Sequence, residues 1–388
     1  MKRVILIVMD SLGIGASPDA KDFNDVGANT FGSILNANPN IKISNLKEIG
    51  FCNIDGVSCG QVKEPKGAFG RIMEMSKGKD TITGHYEIAG ILTENPFKTY
   101  PDGFPKEFIE IFEEKIGCKV LGNYPASGTV IIEELGTIHE ETGKPIVYTS
   151  ADSVFQIAAN VDVVPLERLY EICQIARELL VGKWACGRVI ARPYKIVNGK
   201  RERTSDRHDY AVSPPKETIL DNIKKAEKTV YAVGKIRDIF NGCGISKWVH
   251  TDDNNDGVKK TIEAMEEDFE GLIFTNLVDF DSKYGHRRDS YGYGQALEEF
   301  DNGLTDIIKS LKPDDVLMLC ADHGNDPTFR GYDHTREYIP IVVYGNNIKQ
   351  NVNLHTRNTF ADIGATISEY LGVEKTDIGE SFLGTIKK

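Results

Sequence analysis

"DVLMLCADHGNDPTFRGYDHTRE", residues 315–337, runs from an apolar stretch straight into a turn-rich segment holding two Asp-His pairs, Asp322-His323 and Asp333-His334. A short continuous apolar run ended by polar residues reads as a strand buried on both faces, the kind found in parallel sheets flanked by helices. In open α/β sheets ligands bind beyond the carboxyl ends of the strands. Carboxylates and imidazoles set directly after such a strand therefore suggest a metal centre.

The same pattern recurs outward from this stretch. "RVILIVMD" (3–10), "KPIVYTS" (144–150), "TVYAVGK" (229–235), "GLIFTNLVD" (271–279) and "IPIVVYG" (339–345) are further β-branched runs bounded by polar residues or glycine. Segments 166–180, 295–311 and 360–371 carry apolar residues at three- and four-residue spacing and predict helices. Strands alternating with helices define an α/β protein with a mainly parallel sheet. Two proline-rich joints, "ENPFKTYPDGFPKE" (94–107) and "AVSPPKE" (211–217), bracket a segment with its own strands, helix and hairpin, the hairpin marked by Asn198-Gly199. We read 96–212 as an inserted second domain and 1–95 with 213–388 as a discontinuous core.

A chain of 388 residues, 40% apolar and 27% charged, is long enough for two or three domains and has the composition of a globular protein. The apolar run at residues 4–9 is too short to span a bilayer and has no cleavage region behind it, so a cytoplasmic enzyme without a membrane partner is expected. A net charge of −12 disfavours a nucleic-acid surface. The seven cysteines are scattered and never in CxxC spacing, which predicts reduced thiols rather than a disulfide framework or zinc knuckle.

The acidic residues fall into register with the strands. Asp10 closes the first strand, Asp279 and Asp281 follow the strand at 271–278, and Asp322 follows the strand of the opening stretch. A single Asp at a strand end is usually a helix cap, and a lone loop histidine is usually a surface residue. Here Asp10, Asp281, His286, Asp322, His323 and His334 all lie just past apolar strands or in the following loop. Converging carboxylates repel unless divalent cations neutralise them, and the imidazoles suit Mn²⁺ or Zn²⁺. In "SKGKDTITGHYEIAG" (76–90), Thr81 and Thr83 lie at an apparent helix start, where free N–H groups favour a negative oxygen. Each is a candidate cap or nucleophile, and their spacing does not choose between them.

The motifs "MDSLGIG" (9–15), "GKDTITGHYE" (78–87), "TSADSV" (149–154), "GRVIARP" (187–193), "NLVDFDSKYGHRRD" (276–289), "ADHGNDP" (321–327) and "DHTRE" (333–337) closely resemble the prokaryotic phosphopentomutase family of the alkaline phosphatase superfamily. The resemblance covers nearly the whole chain. "ADHG" marks only the superfamily, whereas "DFDSKYGHRRD" and "DHTRE" in this order are specific. Tyr86 stands where the family usually has Trp, and Phe329-Arg330 is a variable stretch; neither is a proposed ligand.

The resemblance implies an alkaline-phosphatase-like α/β core with helices on both faces of the sheet and an α/β cap. It also implies interconversion of ribose or deoxyribose 1-phosphate with the 5-phosphate, with two Mn²⁺ ions as cofactors and a sugar bisphosphate as activator. Asp281, His286 and His334 would bind one metal, and Asp10, Thr81, Asp322 and His323 the other. Thr81, at the family's nucleophile position, would carry the phosphoryl group. Ser150, Asp152, Arg188, Arg203 and Lys235 would contact the sugar and distal phosphate of the pentose phosphate, arginine's planar fork suiting a phosphate.

Overall fold

The computed structural model describes residues 1–150 and 153–388. They divide into two compact units, Met1–Pro96 with Pro214–Lys388, and Phe97–Ser213.

The first unit is built on an eight-stranded sheet in the order Lys247–Val249, Thr229–Val233, Gly271–Leu277, Arg3–Met9, Asp315–Cys320, Ile339–Tyr344, Ala68–Ile72, Val352–Arg357. Ile339–Tyr344 alone runs against its neighbours, so the sheet is mainly parallel, as its apolar runs predict. Every residue of Arg3–Met9, Gly271–Leu277 and Asp315–Cys320 is buried, which requires cover on both faces. That explains why these strands read as unbroken apolar runs rather than alternating ones. The sheet's amino-terminal edge is tied by Arg3, whose buried guanidinium holds both oxygens of its cross-strand partner Asp315, at 3.0 and 2.7 Å. At the opposite edge the parallel register pairs Val8 with both Asn276 and Cys320, so the three chains leave the sheet side by side. This register brings the acidic residues together.

In the second unit the sheet runs Leu121–Pro125, Ile146–Thr149, Val154–Asn160, Arg188–Val197, and the last strand pairs with both Lys200–Arg203 and His208–Ala211. Asn198 and Gly199 both have positive φ, 51° and 78°, the geometry of the type I′ turn that this dipeptide signals. Side chains alternate between two packing faces. Val147, Phe155, Ile157, Val189 and Ala191 join an aromatic core with Phe104, Phe108 and Phe112, while Ile146, Tyr148, Ala158 and Tyr194 pack with Ile131 and Ile132.

One expectation is corrected. Cys52 and Cys59 form a disulfide, their Cα atoms 5.3 Å apart, and the other five cysteines are free. Cys52 lies in the short 3₁₀ turn Phe51–Asn53, and the spacing of seven residues to Cys59 does not by itself encode the approach of the two thiols.

Candidate metal centre

Two groups of ligand-capable side chains stand past the carboxyl ends of the central strands. One comprises Asp10, Asp322 and His323, the other Asp281, His286 and His334, and in each the donor atoms lie within 4.8 Å of one another. The His323 and His334 rings stack at 4.0 Å, so the groups are neighbours. Asp281 and His286 owe their alignment to a π-helical turn, Phe280–Gly285, closed by a 2.9 Å bond from the His286 N–H to the Asp281 carbonyl. Such turns recur at functional sites. Asp279 turns away: it accepts from the Asn254 N–H at 3.0 Å and from Lys283 at 2.9 Å.

The imidazoles are oriented from behind. The Nδ1 atoms of His323, His334 and His286 face the carbonyls of Gly324, Lys79 and Tyr332 at 3.1, 3.0 and 3.3 Å. A carbonyl only accepts, so each Nδ1 carries a proton, and a ring holding a metal ion would turn its Nε2 lone pair inward. The Nε2 atoms of His334 and His286 then meet at 3.1 Å, with the Asp281 carboxylate 3.7 and 3.1 Å away. Facing lone pairs repel unless a cation lies between them. In the other group His323 Nε2 lies 3.4 Å from Asp10 Oδ1 and 3.3 Å from Asp322 Oδ2, both buried oxygens without a hydrogen-bond partner. Orphaned carboxylate oxygens are costly to bury, and a metal ion would satisfy them.

Charge tells the same story. Burial pushes the His323 imidazole down, yet Asp322 and Asp10 overcome this and hold it well above its ordinary value. Burial raises the Asp281 carboxyl, but His334 and His286 bring it well below the usual range. Asp10 is raised by burial and by the charge of Asp322. Both groups call for positive charge, which a proton or a metal ion supplies.

Thr81 opens the helix Thr81–Ile88, and its Oγ1 lies 3.2 Å from His323 Nε2. Asp80 caps this helix, accepting from the N–H groups of Ile82 and Thr83, each at 3.1 Å, and from the Thr83 hydroxyl at 2.6 Å. The Thr83 hydroxyl is thereby committed to the cap, and of the two threonines only Thr81 faces the acidic group.

Several supporting residues escaped the sequence reading. Buried His85 gives its Nδ1–H to the Thr81 carbonyl, 2.8 Å away, and the same nitrogen lies 3.2 Å from Asp322 Oδ2 without a hydrogen bond to it. Asn276 donates to Asp10 and Asn325 to Asp281, both at 2.8 Å. Ser11, with a strained φ of 66°, gives its N–H to Asp322 at 3.0 Å. The sequence signals are faint: His85 lies in the stretch 76–90 that holds Thr81, and Asn276 and Asn325 sit near the ligands in sequence. Gly84 is also tightly constrained, since a Cβ there would stand 2.0 Å from the Asp322 carbonyl oxygen. Gly84→Ala should therefore move the Asp322 backbone, and we expect a loss of about 1–3 kcal/mol in chemical denaturation together with weaker metal binding in a metal titration. Unchanged stability and affinity would contradict this packing.

The remaining predicted residues are distributed as follows. Ser150, half-buried, follows Ile146–Thr149; Arg188 opens its strand 3.8 Å from the Asp209 carboxylate; Arg203 is exposed at the end of Lys200–Arg203. Lys235 follows Thr229–Val233 in the first unit, and Asp152 lies outside the described residues. Among the described residues no helix is long and apolar enough to cross a membrane.

With this geometry in hand, the comparisons are direct. Residues 2–375 match the family model of the Metalloenzyme superfamily, so fold and site define a metalloenzyme with an alkaline-phosphatase-like α/β core. The structure of the PH0037 protein from Pyrococcus horikoshii shares the fold, with TM-score 0.51 and 13% identity over 97% of this chain and 99% of that one. The phosphopentomutase of Clostridioides difficile (strain 630) is 56% identical over 389 residues, and that of Alkaliphilus oremlandii (strain OhILAs) 55% over 389, each alignment covering 100% of both chains. The chain belongs to the phosphopentomutase family, and is an isomerase that acts as an intramolecular phosphotransferase.

Proposed function

We propose that the protein interconverts (deoxy)ribose 1-phosphate and (deoxy)ribose 5-phosphate through phosphothreonine at Thr81 and a sugar bisphosphate intermediate. The observation that carries this reading is the Thr81 hydroxyl at a helix start, 3.2 Å from His323 within the Asp10–Asp322–His323 group. The donor set suits two Mn²⁺ ions, one held by Asp281, His286 and His334 and the other by Asp10, Asp322, His323 and Thr81. Bound there, two divalent cations would outweigh the charges of Asp10, Asp281 and Asp322, stabilise charge on a transferring phosphoryl group and favour an ionised threonine oxygen.

The residues then act in sequence. Phosphothreonine 81 gives its phosphoryl to the free hydroxyl of the sugar monophosphate; the Thr81 Oγ–P bond breaks and a sugar O–P bond forms. The bisphosphate reverses its orientation and returns its other phosphoryl to Thr81, releasing the isomer. A sugar bisphosphate primes the resting hydroxyl in the same way. The free N–H groups of the first helical turn favour the oxyanion. Ser150, Asp152, Arg188, Arg203 and Lys235 hold the sugar and its second phosphate, and the reaction belongs to the cytoplasm.

The test is an assay with Mn²⁺ on both pentose phosphates, run beside phosphoglycerate and beside release of inorganic phosphate. Pentose isomerisation should far exceed the other two. Phosphate release without isomerisation, or turnover of phosphoglycerate instead, would overturn the reading.

A further inference from the structure

Between the strand Ala68–Ile72 and the helix Thr81–Ile88 the chain runs through residues 73–80 without helix or strand. This connection leads straight into Thr81, so whatever fixes it also places the Thr81 hydroxyl. Outside regular structure its polar backbone groups need partners from elsewhere. On the N–H side, Met75 and Ser76 donate to the Glu87 carboxylate at 2.9 and 2.6 Å, and Lys77 donates to the Thr93 carbonyl at 2.8 Å. On the carbonyl side, Glu74, Gly78 and Lys79 are all held by side chains from the stretch that ends the opening motif, Arg336 and His334.

Arg336 is 1% exposed, and each of its five guanidinium N–H groups has an acceptor. Nη2 donates to the Glu74 carbonyl at 2.6 Å and to Asp19 at 2.8 Å. Nη1 donates to the Gly78 carbonyl at 2.7 Å and to the Glu74 carboxylate at 2.6 Å, while Nε donates to Asp19 at 3.1 Å. The next carbonyl along, that of Lys79, receives His334 Nδ1 at 3.0 Å. Consecutive carbonyls are thus held by two side chains two residues apart, one of them a candidate metal ligand. Asp25 Oδ2 adds a further link, accepting from the Arg336 N–H at 2.8 Å and from the Lys79 ammonium at 2.9 Å. A Cβ on Gly78 would stand 2.5 Å from the Thr83 hydroxyl oxygen, so the clamped main chain lies against the cap of the Thr81 helix.

Stability alone is a poor account of this arrangement. Burying a guanidinium with a carboxylate costs desolvation, and apolar residues of similar volume often serve as well. What arginine adds is a planar fork that reaches several acceptors in fixed directions, which the single nitrogen of lysine does not reproduce. Such precision matters next to a reacting group, where a misplacement of about 1 Å costs about a hundred-fold in rate.

We propose that Arg336 is a positioning residue for the isomerase reaction. By fixing the connection at Glu74 and Gly78 it sets the Thr81 hydroxyl against His323, and through the adjacent Lys79 carbonyl it keeps the His334 ring turned toward Asp281 and His286. The inference rests on the reading of Thr81 as the nucleophile. Arg336 acts through the main chain and needs no contact with the substrate.

Arg336→Lys tests this, with Asp19→Asn beside it. Lysine keeps a positive charge beside buried Glu74, and the Asp19 side chain is 39% exposed, so its change loosens the guanidinium from outside without emptying the interior. For Arg336→Lys, kcat should fall about thirty-fold or more with KM within about three-fold, the split of a misplaced reacting group rather than of lost substrate binding. Amide exchange at residues 75–79 of the metal-free protein should quicken, and a Mn²⁺ titration should show one site weakened. Asp19→Asn should shift kcat and exchange in the same direction by less. A lower melting temperature with parent-like kcat where the variants are folded, or parent-like exchange in both, would overturn the proposal. If Arg336→Lys does not fold, Asp19→Asn decides: slower turnover with faster exchange upholds the role, and parent-like values of both overturn it. If a bisphosphate leaves its phosphoryl on a residue other than Thr81 while Arg336→Lys still shows the lower kcat and faster exchange, the clamp stands and the Thr81 reading fails.

Discussion

Thr81→Ala is expected to abolish isomerisation while leaving the fold and the Asp281–His286–His334 group intact. The hydroxyl is the only atom group that the proposed reaction breaks and remakes on the protein, so no neighbour replaces it. Asp80 and Thr83 keep the helix cap in the variant, because the bonds from Ile82, Thr83 and the Thr83 hydroxyl all end on Asp80. The second group draws nothing from Thr81, its contacts running among Asp281, His286 and His334. Circular dichroism should match the parent, and metal analysis should show one ion retained and the other bound less tightly. The paired control is Thr83→Ala, where the lost bond to Asp80 should reduce stability by about 0.5–2 kcal/mol with turnover preserved. An active Thr81→Ala enzyme, or a dead Thr83→Ala enzyme of normal stability, would exchange the two roles.

Metal removal should be equally severe. The lone pairs of His286 and His334 face each other, and Asp10 and Asp322 each hold an oxygen without a hydrogen-bond partner. These groups are arranged for cations rather than for one another. Dialysis against excess chelator should remove activity, and Mn²⁺ should restore it. Asp322→Ala and His334→Ala should each lower kcat/KM by more than about a hundred-fold, the upper end of what losing a mere supporting residue does. Stability in the metal-free state should change far less, since removing one carboxylate from a cluster of three also relieves repulsion. Full activity in chelator would exclude the two-metal reading.

What was legible in the sequence follows from physics that acts locally. Arg3–Met9, Gly271–Leu277 and Asp315–Cys320 are covered on both faces, so burial wrote them as unbroken apolar runs. Parallel register then aligned the residues after them, which is why Asp10, Asp281 and Asp322 could be grouped without knowing any loop. Ile339–Tyr344 was equally visible as a strand, but its reversed direction depends on the long excursion before it and leaves no mark in composition. The π-helical turn that sets Asp281 beside His286 was also invisible, since a shift from i→i+4 to i→i+5 bonding has no residue signature. Asn276 and Asn325 could not be told from ordinary polar residues because their role lies in partners far along the chain. Cys52–Cys59, only seven residues apart, eluded the spacing argument for a different reason, because nothing in the spacing shows that the chain brings the two thiols together.

The most direct test of the account is peptide mapping by mass spectrometry of the Mn²⁺-loaded enzyme after exposure to a pentose bisphosphate. One phosphoryl group on Thr81, gained with the bisphosphate and lost when a pentose monophosphate is added, is the expected result. Phosphate on Thr83 or on another residue, or an enzyme that isomerises pentose phosphates and never becomes phosphorylated, would contradict it.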